Sequence, residues 1–337
     1  MSESFTNPSS VPAYGQRSDL RLASHIGVFR ALPPGEMICA IPAFRALRNV
    51  APGAVITLIG APSARAFAQR FRCYIDEFLA FPGHPDLDGR AHRDEFNNFV
   101  DYLNTRFDWL IQLHGDGHVT NSILARFKAD HRAGFVSHPQ AVEGDFIIYP
   151  SGHESERLLT LMRHLGAEGH PRLEWPITEQ DHDELMHQSW RIALGKEPYI
   201  VVDTDRTWRG ANGLRHGIDT LVERLASQFI IVVTNTNANR PRSDGRTIHA
   251  QALSPGALGA LISGARLIIA AESGAGHIAH ALSVPSLTIV TGSDPERWCR
   301  NDDPRHPYVD ARMVFDADRA WTLIGQATRA GGGCGGM

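Results

Sequence analysis

The sequence lacks three features that would each have indicated a particular class of protein. Its four cysteines form no CxxC pair, which argues against a zinc ribbon and a redox dithiol. No apolar stretch approaches the roughly 18 residues of a membrane-spanning helix. Lys and Arg number 33 against 37 Asp and Glu, so there is no basic excess to bind nucleic acid. We therefore expect a cytoplasmic protein with reduced thiols and no nucleic-acid partner.

The composition that remains is that of a globular protein. The chain has 337 residues, of which 42% are hydrophobic and 21% charged, and this length suits two domains with a core each. Residues 1–21 are polar and lack a signal-peptide pattern, and residues 327–337 are rich in glycine. We expect both ends to be disordered or flexible tails.

Short apolar runs alternate with longer amphipathic stretches, which is typical of an α/β fold with parallel sheets. A charged, proline-interrupted segment separates two such series, so we predict Rossmann-like domains at 22–165 and 196–326, a connector at 166–195, and a cleft between the two sheets. The predicted strands are 26–29, 55–59, 78–81, 109–113 and 146–149 in the first domain, and 199–202, 230–233, 267–271 and 286–290 in the second.

The segment Ala270–His280 has the pattern of a strand that ends at Glu272 and is followed by a helix from Gly274. Unpaired N–H groups at such a helix start favour a phosphate group. The alternative is a turn that needs glycine only for its backbone angles. A GxGxxA dinucleotide pattern also fits, but too little chain follows it to complete a dinucleotide fold. The small residues that would permit close approach of a phosphate are Ser273, Gly274, Ala275 and Gly276.

Three further segments follow predicted strands and carry polar side chains. Glu36 stands at a helix start after Gly35, where it is either a general base or an ordinary helix-start carboxylate. His114 and Asp116 lie in a glycine-rich turn, which predicts a ligand-lining loop; with His118 they would form a metal site only in an extended strand, which the glycines disfavour. Arg206, Arg209 and Arg215 follow the strand 199–202 and are candidates to neutralise a diphosphate.

Longer runs of residues strengthen these interpretations. The loop Gly35-Glu36 leads into Ile41-Pro-Ala-Phe-Arg-Ala-Leu-Arg48, and Asp108–Gly117 forms a strand and glycine turn. Together with a spaced set in the second half, they resemble the bacterial heptosyltransferases, glycosyltransferase family 9, whose members have the two-domain GT-B fold. The resemblance covers about residues 25 to 300. The spaced set is Glu272, Ser273, Gly274, His277, Ala279, Ala281, Pro285, Gly292 and Pro295.

The resemblance implies transfer of a heptose from an ADP-sugar to an acceptor hydroxyl with inversion, without a cofactor or a metal. It makes the first domain the acceptor domain and the second the nucleotide-sugar domain. Glu36 would be the base, with Gly35, His114 and Asp116 on the acceptor side. The acceptor would be a glycan, a lipid-linked molecule or a protein, most commonly lipopolysaccharide core, reached by a soluble or peripheral membrane protein. The donor would be bound by Glu272, Ser273, Gly274, Ala275, Gly276 and His277.

The sequence also departs from the family. Both functional acids are Glu where the family usually has Asp, and Asp203-Thr-Asp-Arg206 replaces a His-Pro-Gly-Ala run that a phosphate-binding lysine follows. An arginine should then take the role of the lysine, with Arg215 first and Arg209 second. Two alternatives stay open: a degenerate GT-B protein that binds a nucleotide sugar or a partner without catalysis, and a nucleotide-sugar epimerase.

Overall fold

The first half of the chain forms a parallel sheet of six strands. The computed structural model describes residues 19–88, 93–103, 106–139, 143–204, 214–235, 242–250, 253–300 and 302–331. The strand order is β3-β2-β1-β4-β5-β6, and the apolar side chains of the central strands are buried on both faces, as expected of a parallel sheet covered by helices. The strands are β1 (His25–Phe29), β2 (Val55–Gly60), β3 (Glu77–Ala80), β4 (Phe107–Gln112), β5 (Ala129–Val136) and β6 (Asp145–Ile148).

The second half forms a seven-stranded sheet with the order β13-β12-β11-β7-β8-β10-β9. Strand β9 is the antiparallel edge strand, and the six parallel strands repeat the order of the first sheet. Its strands are β7 (Tyr199–Asp203), β8 (Ile230–Thr234), β9 (Arg242–Asp244), β10 (Thr247–His249), β11 (Leu267–Ala271), β12 (Ser286–Val290) and β13 (Tyr308–Asp310).

In a sheet with this strand order, the first strand lies in the middle, and successive strands are added first on one side of it and then on the other. Each sheet therefore has one topological switch point. In the first sheet this point lies between the neighbours β1 and β4, and in the second between β7 and β11. Ligands of such sheets bind beyond the carboxyl ends of the strands at this place. The predicted site residues follow these strands in both halves.

Helices connect the strands and cover the sheets. The helices are α1 (Pro34–Met37), α2 (Ile41–Val50), α3 (Arg65–Arg70), α4 (Pro85–Asp88), α5 (Arg93–Tyr102), α6 (Thr120–Leu124), α7 (Glu154–His164), α8 (Glu179–Met186), α9 (Arg191–Leu194), α10 (Leu214–Ala226), α11 (Pro255–Ser263), α12 (Gly274–Ala281), α13 (Pro295–Trp298) and α14 (Ala317–Gly331). Among the described residues, no helix has the length and hydropathy needed to cross a membrane.

The predicted α/β fold with two parallel sheets is confirmed, and every predicted strand is present within two residues of its predicted ends. Four strands were missed: the first residues of β5 are polar and partly exposed, and β9, β10 and β13 are only three residues long each. The tail predicted from residue 327 was wrong in its first part, since α14 continues to Gly331 and Ala327 is buried. At the other end, Leu20 is buried in a short 3-10 turn, so the predicted disordered tail does not extend to residue 21.

Each half has a core cluster of its own, as expected, but the cores are not separate. One cluster of buried apolar residues runs from the first sheet to the second, and residues of the predicted connector, including Leu173, Trp175, Leu185 and Trp190, belong to it. Trp175 packs against Phe71 of the first half and against the backbone at Gly259 in α11. The connector is therefore a packed layer between the halves, because its apolar side chains are spaced along short helices and turns.

Candidate active site

The two predicted glycine loops meet at the centre of the molecule. Gly35 lies in α1, just beyond β1, and Gly274 is the first residue of α12, just beyond β11. A Cβ atom added at Gly35 would lie 2.6 Å from the Cα of Gly274, and one added at Gly274 would lie 2.7 Å from the Cα of Gly35. The backbones touch, so glycine is needed on both sides. This contact brings the acceptor-side and donor-side predictions to one place.

Glu36 follows Gly35 and is half-buried at this junction. Burial raises the pKa of its carboxyl above the ordinary value of 4.5, and the nearby Arg30 and Arg297 guanidinium groups oppose the rise only in part. The main-chain carbonyl of Glu36 accepts a hydrogen bond from Arg30 at 3.1 Å, which fixes the start of the helix. A carboxylate with a raised pKa at the edge of a sheet has the properties of a general base.

A buried ionic network that the sequence did not reveal lies behind Glu36. Glu154, at the start of α7, has a side chain with 0% exposure and pairs with Arg30 at 2.9 Å and with Arg297 at 2.8 Å. Tyr149 donates a hydrogen bond to the same carboxylate at 2.6 Å. Burial alone would raise the pKa of Glu154, but the two arginines outweigh it and lower the pKa to about 2. The network joins the halves, because Arg297 lies in α13.

One signal in the sequence points to this network. Arg30 directly follows an apolar strand, in a position where a charged side chain is buried only if it is paired. Its guanidinium also donates to the carbonyl of Leu113 at 2.5 Å, so it ties the ends of β1 and β4 together. The sequence did not identify the partner, because Glu154 is far from Arg30 along the chain.

The predicted acceptor side contains an apolar cleft, and part of its lining comes from residues shortly before Glu36 in the sequence. The Ala31 N–H donates to Nδ1 of His114 at 3.1 Å, and burial together with Arg30 lowers the pKa of His114 to about 4. His114 is therefore neutral at physiological pH and presents one ring nitrogen to the cleft. The cleft is lined by Leu32, Pro62, Phe81, Pro82, Leu87 and His114.

Asp116 does not line this cleft. Its carboxylate accepts a hydrogen bond from the His118 N–H at 3.1 Å, which stabilises the glycine turn after β4. His118 is exposed, and within the described part of the chain these two residues and His114 form no group with metal-binding distances. The turn therefore positions His114, and Asp116 acts on the conformation of the loop.

The start of α12 lies where the sequence predicts a phosphate site. Ser273 is the N-terminal cap residue, and its hydroxyl is buried without a hydrogen-bond partner among the described residues. The first N–H groups of a helix have no partner within the helix and attract an anion. Ala275 and His277 are buried against the core, whereas a Cβ atom at Gly276 would make ordinary contacts of 3.6 Å and more. Gly276 is therefore not required by packing.

Glu272 is held by the backbone of a neighbouring loop. Its carboxylate accepts hydrogen bonds from the N–H groups of Thr291, Gly292 and Ser293 at 2.9 to 3.1 Å. This interaction fixes the turn between β12 and α13. Glu272 also lines a small cavity beside α12, so a bound sugar would meet a carboxylate that is already oriented.

That cavity supplies a cation where the sequence had predicted other arginines. Its lining includes His153, Glu272, Ser273, His277, Trp298 and Arg300. Arg300 is paired with Asp302 at 2.7 Å and is mostly buried. Arg215, in contrast, is 82% exposed in the first turn of α10, 4.0 Å from Asp219. Arg206 and Arg209 lie outside the described residues.

Comparisons with known proteins support the family resemblance. Residues 251–321 match the model of glycosyltransferase family 9, the heptosyltransferases. No curated protein sequence matches the chain significantly.

Solved structures resemble the chain over nearly its whole length. A family 9 glycosyltransferase from Veillonella parvula has 14% identity and a TM-score of 0.70, covering 93% of this chain and 98% of that one. The E. coli heptosyltransferase II for ADP-heptose and lipopolysaccharide has 14% identity and a TM-score of 0.64, covering 91% and 98%. E. coli heptosyltransferase WaaC, solved with ADP-2-deoxy-2-fluoro heptose, has 14% identity and a TM-score of 0.61, covering 89% and 99%. The chain therefore has the GT-B fold over nearly its whole length, and residues 251–321 of its second half carry the match to the family 9 model.

Proposed function

We propose that the protein transfers a heptose or a related sugar from an ADP-sugar to an acceptor hydroxyl, with inversion at the anomeric carbon. The observation that carries this proposal is the backbone contact of Gly35 with Gly274. This contact supports the proposal because Glu36 directly follows Gly35, and Gly274 begins the helix whose start is suited to a phosphate group. We infer that the base and the leaving-group site lie on either side of the junction between the halves.

The donor would bind on the side of the second sheet. Its diphosphate would lie at the start of α12, against the N–H groups that follow Ser273, because that helix end carries partial positive charge. Arg300 lines the same cavity and is our first candidate for the neutralising cation, and Arg297 is the second. Glu272, fixed by three backbone N–H groups, would orient the sugar. Two E. coli heptosyltransferase structures were solved with ADP or an ADP-heptose analogue, which supports an ADP-linked donor.

The acceptor would bind on the side of the first sheet, in the cleft lined by Phe81, Pro82 and His114. Glu36 would take the proton from the attacking hydroxyl as the new glycosidic bond forms. The bond from the anomeric carbon to the donor diphosphate breaks in the same displacement, and ADP leaves with the electron pair. Attack from the face opposite ADP inverts the anomeric centre. The proposed site needs a deprotonated Glu36, so the rate should rise with pH through a pKa above 4.5.

The test combines ligand binding with turnover. ADP should raise the melting temperature, by an amount that corresponds to about 2.7 kcal/mol when ADP is present at 100 times its Kd, and NAD should not. With ADP-heptose and a lipopolysaccharide-core acceptor, release of ADP should depend on the acceptor. Stabilisation by NAD but not by nucleoside diphosphates would rule the proposal out. Conversion of the donor alone to a new nucleotide sugar would favour an epimerase instead.

A further inference from the structure

Three side chains with metal-binding atoms come together behind the start of α12, although the sequence places them far apart. Cys39 lies in a short 3-10 turn (Ile38–Ala40) that leads into α2, His153 caps the start of α7, and His277 lies in α12. One ligand atom from each residue lies within 4.8 Å of the other two. The sequence predicted no metal site, because no local spacing relates these three residues.

One of the three ligand separations is close to that of a tetrahedral ion. The Cys39 Sγ lies 3.8 Å from each ring nitrogen of His277. Bonds of about 2.3 Å to sulfur and about 2.0 Å to nitrogen place two ligands of a tetrahedral zinc ion about 3.5 Å apart. Because the sulfur is equally far from both nitrogens, the His277 ring must turn one nitrogen toward the ion, and the other ligand atoms, now within 4.8 Å, must also approach.

The orientation of His153 is set by a neighbouring hydroxyl. Its Nδ1 lies 2.8 Å from the Oγ of the buried residue Ser155. The backbone N–H of Ser155 also donates to Nδ1, at 3.3 Å, so a metal can bind Nε2 only in the tautomer whose Nδ1–H donates to the Ser155 Oγ instead and gives up that longer bond. Histidine ligands in metal sites usually have such a partner on the second nitrogen, since it fixes the ring and the tautomer.

The three side chains are largely shielded from solvent, and sulfur and nitrogen ligands of this kind suit a borderline-soft ion. Cys39 and His277 are buried, and His153 reaches the cavity that His277 also lines. Glu36, Glu154, Arg30 and Arg297 surround the thiol, and their formal charges cancel.

We propose that Cys39, His153 and His277 bind a zinc-type transition-metal ion at the junction of the two halves. The Cys39 thiol releases its proton to solvent when the metal–sulfur bond forms, and the two imidazoles bind through neutral nitrogen atoms. A thiolate with two imidazoles is a donor set that zinc and cobalt(II) accept, and the fourth position faces the cavity or holds water. Two ligands come from the first half and one from the second, so the ion would tie the halves together.

A second group nearby is a weaker candidate. His280, Asp303 and His306 also have ligand atoms within 4.8 Å of one another. The carboxylate of Asp303, however, accepts two hydrogen bonds from Arg305, at 3.0 and 2.7 Å. The arginine would have to leave before a metal could bind there. The group contains no sulfur, which makes the two sites distinguishable by spectroscopy.

The experiment uses the full chain, purified without a histidine tag. Metal content is measured by mass spectrometry, after which the protein is stripped with a chelator and titrated with Co²⁺. We expect one ion per chain and a near-ultraviolet thiolate-to-cobalt charge-transfer band with the strong visible bands of tetrahedral cobalt. Zn²⁺ should abolish the bands and raise the melting temperature of the stripped protein.

Variants assign the ligands. Cys39→Ser should lose the charge-transfer band, and Cys299→Ser should keep it, because Cys299 is also buried and lines the same cavity but is not part of the group. Ser155→Ala keeps all three ligands and should weaken metal affinity about 10- to 100-fold. Wild-type protein that gives no thiolate band overturns the proposal. So does a band that survives in Cys39→Ser, or cobalt bound without sulfur, which would indicate the His280 group.

Discussion

The two sheet edges that face each other at the candidate active site carry different kinds of polar group. At the edge of the first sheet, beyond β1 and β4, the polar groups are charged side chains fixed by one another: Arg30 and Glu154 form a buried pair beside Glu36, which Arg297 joins from α13 of the second half. At the edge of the second sheet, beyond β7 and β11, the polar groups are mainly backbone N–H groups and small residues, with Glu272 bound to backbone.

The difference matches the two tasks of a glycosyl transfer. Taking a proton requires a group whose pKa is tuned, and buried charges tune pKa strongly. Binding a diphosphate requires close approach and directed N–H groups, which small residues at a helix start supply. In the proposed function, the same strand order would support a protonation site in one half and an anion site in the other.

The largest expected effect tests the first edge. Glu36→Gln removes the proposed base and should lower kcat about 10²- to 10⁴-fold, with the melting temperature and ADP affinity unchanged, since the amide keeps the shape of the side chain. Steady-state kinetics with an ADP-sugar and acceptor measures this. Glu36→Asp should lose less, because it still ionises but is one methylene shorter. An unchanged kcat in Glu36→Gln would falsify the assignment.

The second effect concerns stability. Glu154→Gln leaves Arg30 buried without its partner and should lower the free energy of unfolding by about 3 to 5 kcal/mol. Glu156→Gln is the matched control in the same helix, because Glu156 is 42% exposed and lies 3.4 Å from Arg163; we expect a change within about 0.5 kcal/mol. Urea denaturation measures both.

The pH dependence of stability should separate the same two variants. The pKa of Glu154 is lowered from 4.5 to about 2, so its ionised form stabilises the fold above pH 4.5. That contribution, about 3 kcal/mol at 1.4 kcal/mol per pKa unit, is lost as the pH falls toward 2. The Glu156→Gln variant should still lose this stability as the pH falls. The Glu154→Gln variant should not, because it lacks the titrating carboxyl group. Parallel curves for the two would show that Glu154 is not ionised in the native protein.

The third effect tests the second edge. Arg300→Ala should raise the Kd for ADP about 10- to 150-fold, the cost of losing a hydrogen bond to a charged group, about 1.5 to 3 kcal/mol. Arg215→Ala should change it little if the exposed position of Arg215 is retained when the donor binds. Calorimetric titration decides between them. If Arg215→Ala weakens ADP binding more than Arg300→Ala does, Arg215 binds the diphosphate, as predicted from the sequence, and Arg300 does not.

The smallest effect tests the contact between the edges. Gly35→Ala and Gly274→Ala each insert a methyl group where the backbones touch, and each should cost about 1 to 3 kcal/mol of stability or of ADP binding. Gly276→Ala, two residues from Gly274, has room for the methyl group and should be nearly neutral. Thermal unfolding with and without ADP measures all three. Equal behaviour of Gly274→Ala and Gly276→Ala would mean that the halves are not in contact there.

Local patterns were sufficient to predict nine of the thirteen described strands and the two glycine loops. Apolar runs such as Leu267–Ala271 are unambiguous, and the residues after them fall at a sheet edge by topology alone. Strand β5 was missed because hydrogen bonds to β4 and β6, rather than its own composition, fix its conformation. The continuous core was missed because Trp175 and its neighbours carry no periodic signal across the proline breaks.

The candidate site was predictable to the same extent. The positions of Glu36 and the segment Glu272–His277 at the sheet edges were predictable because each directly follows a strand. The positions of Glu154 and Arg300 were not, because they depend on contacts with residues distant in the chain. The three residues of the proposed metal site belong to the same class, and only the folded chain brings them together.

The packing of Trp175 between the first half and Gly259 has a consequence for how the protein folds. Each half would expose a large apolar face if it were produced alone, whether the chain were cut before or after the connector. Association of the halves is then part of folding itself, and the enzyme behaves as one cooperative unit despite its two sheets. Any opening of the cleft must occur within that unit, by small shifts of packed helices instead of free rotation about a linker.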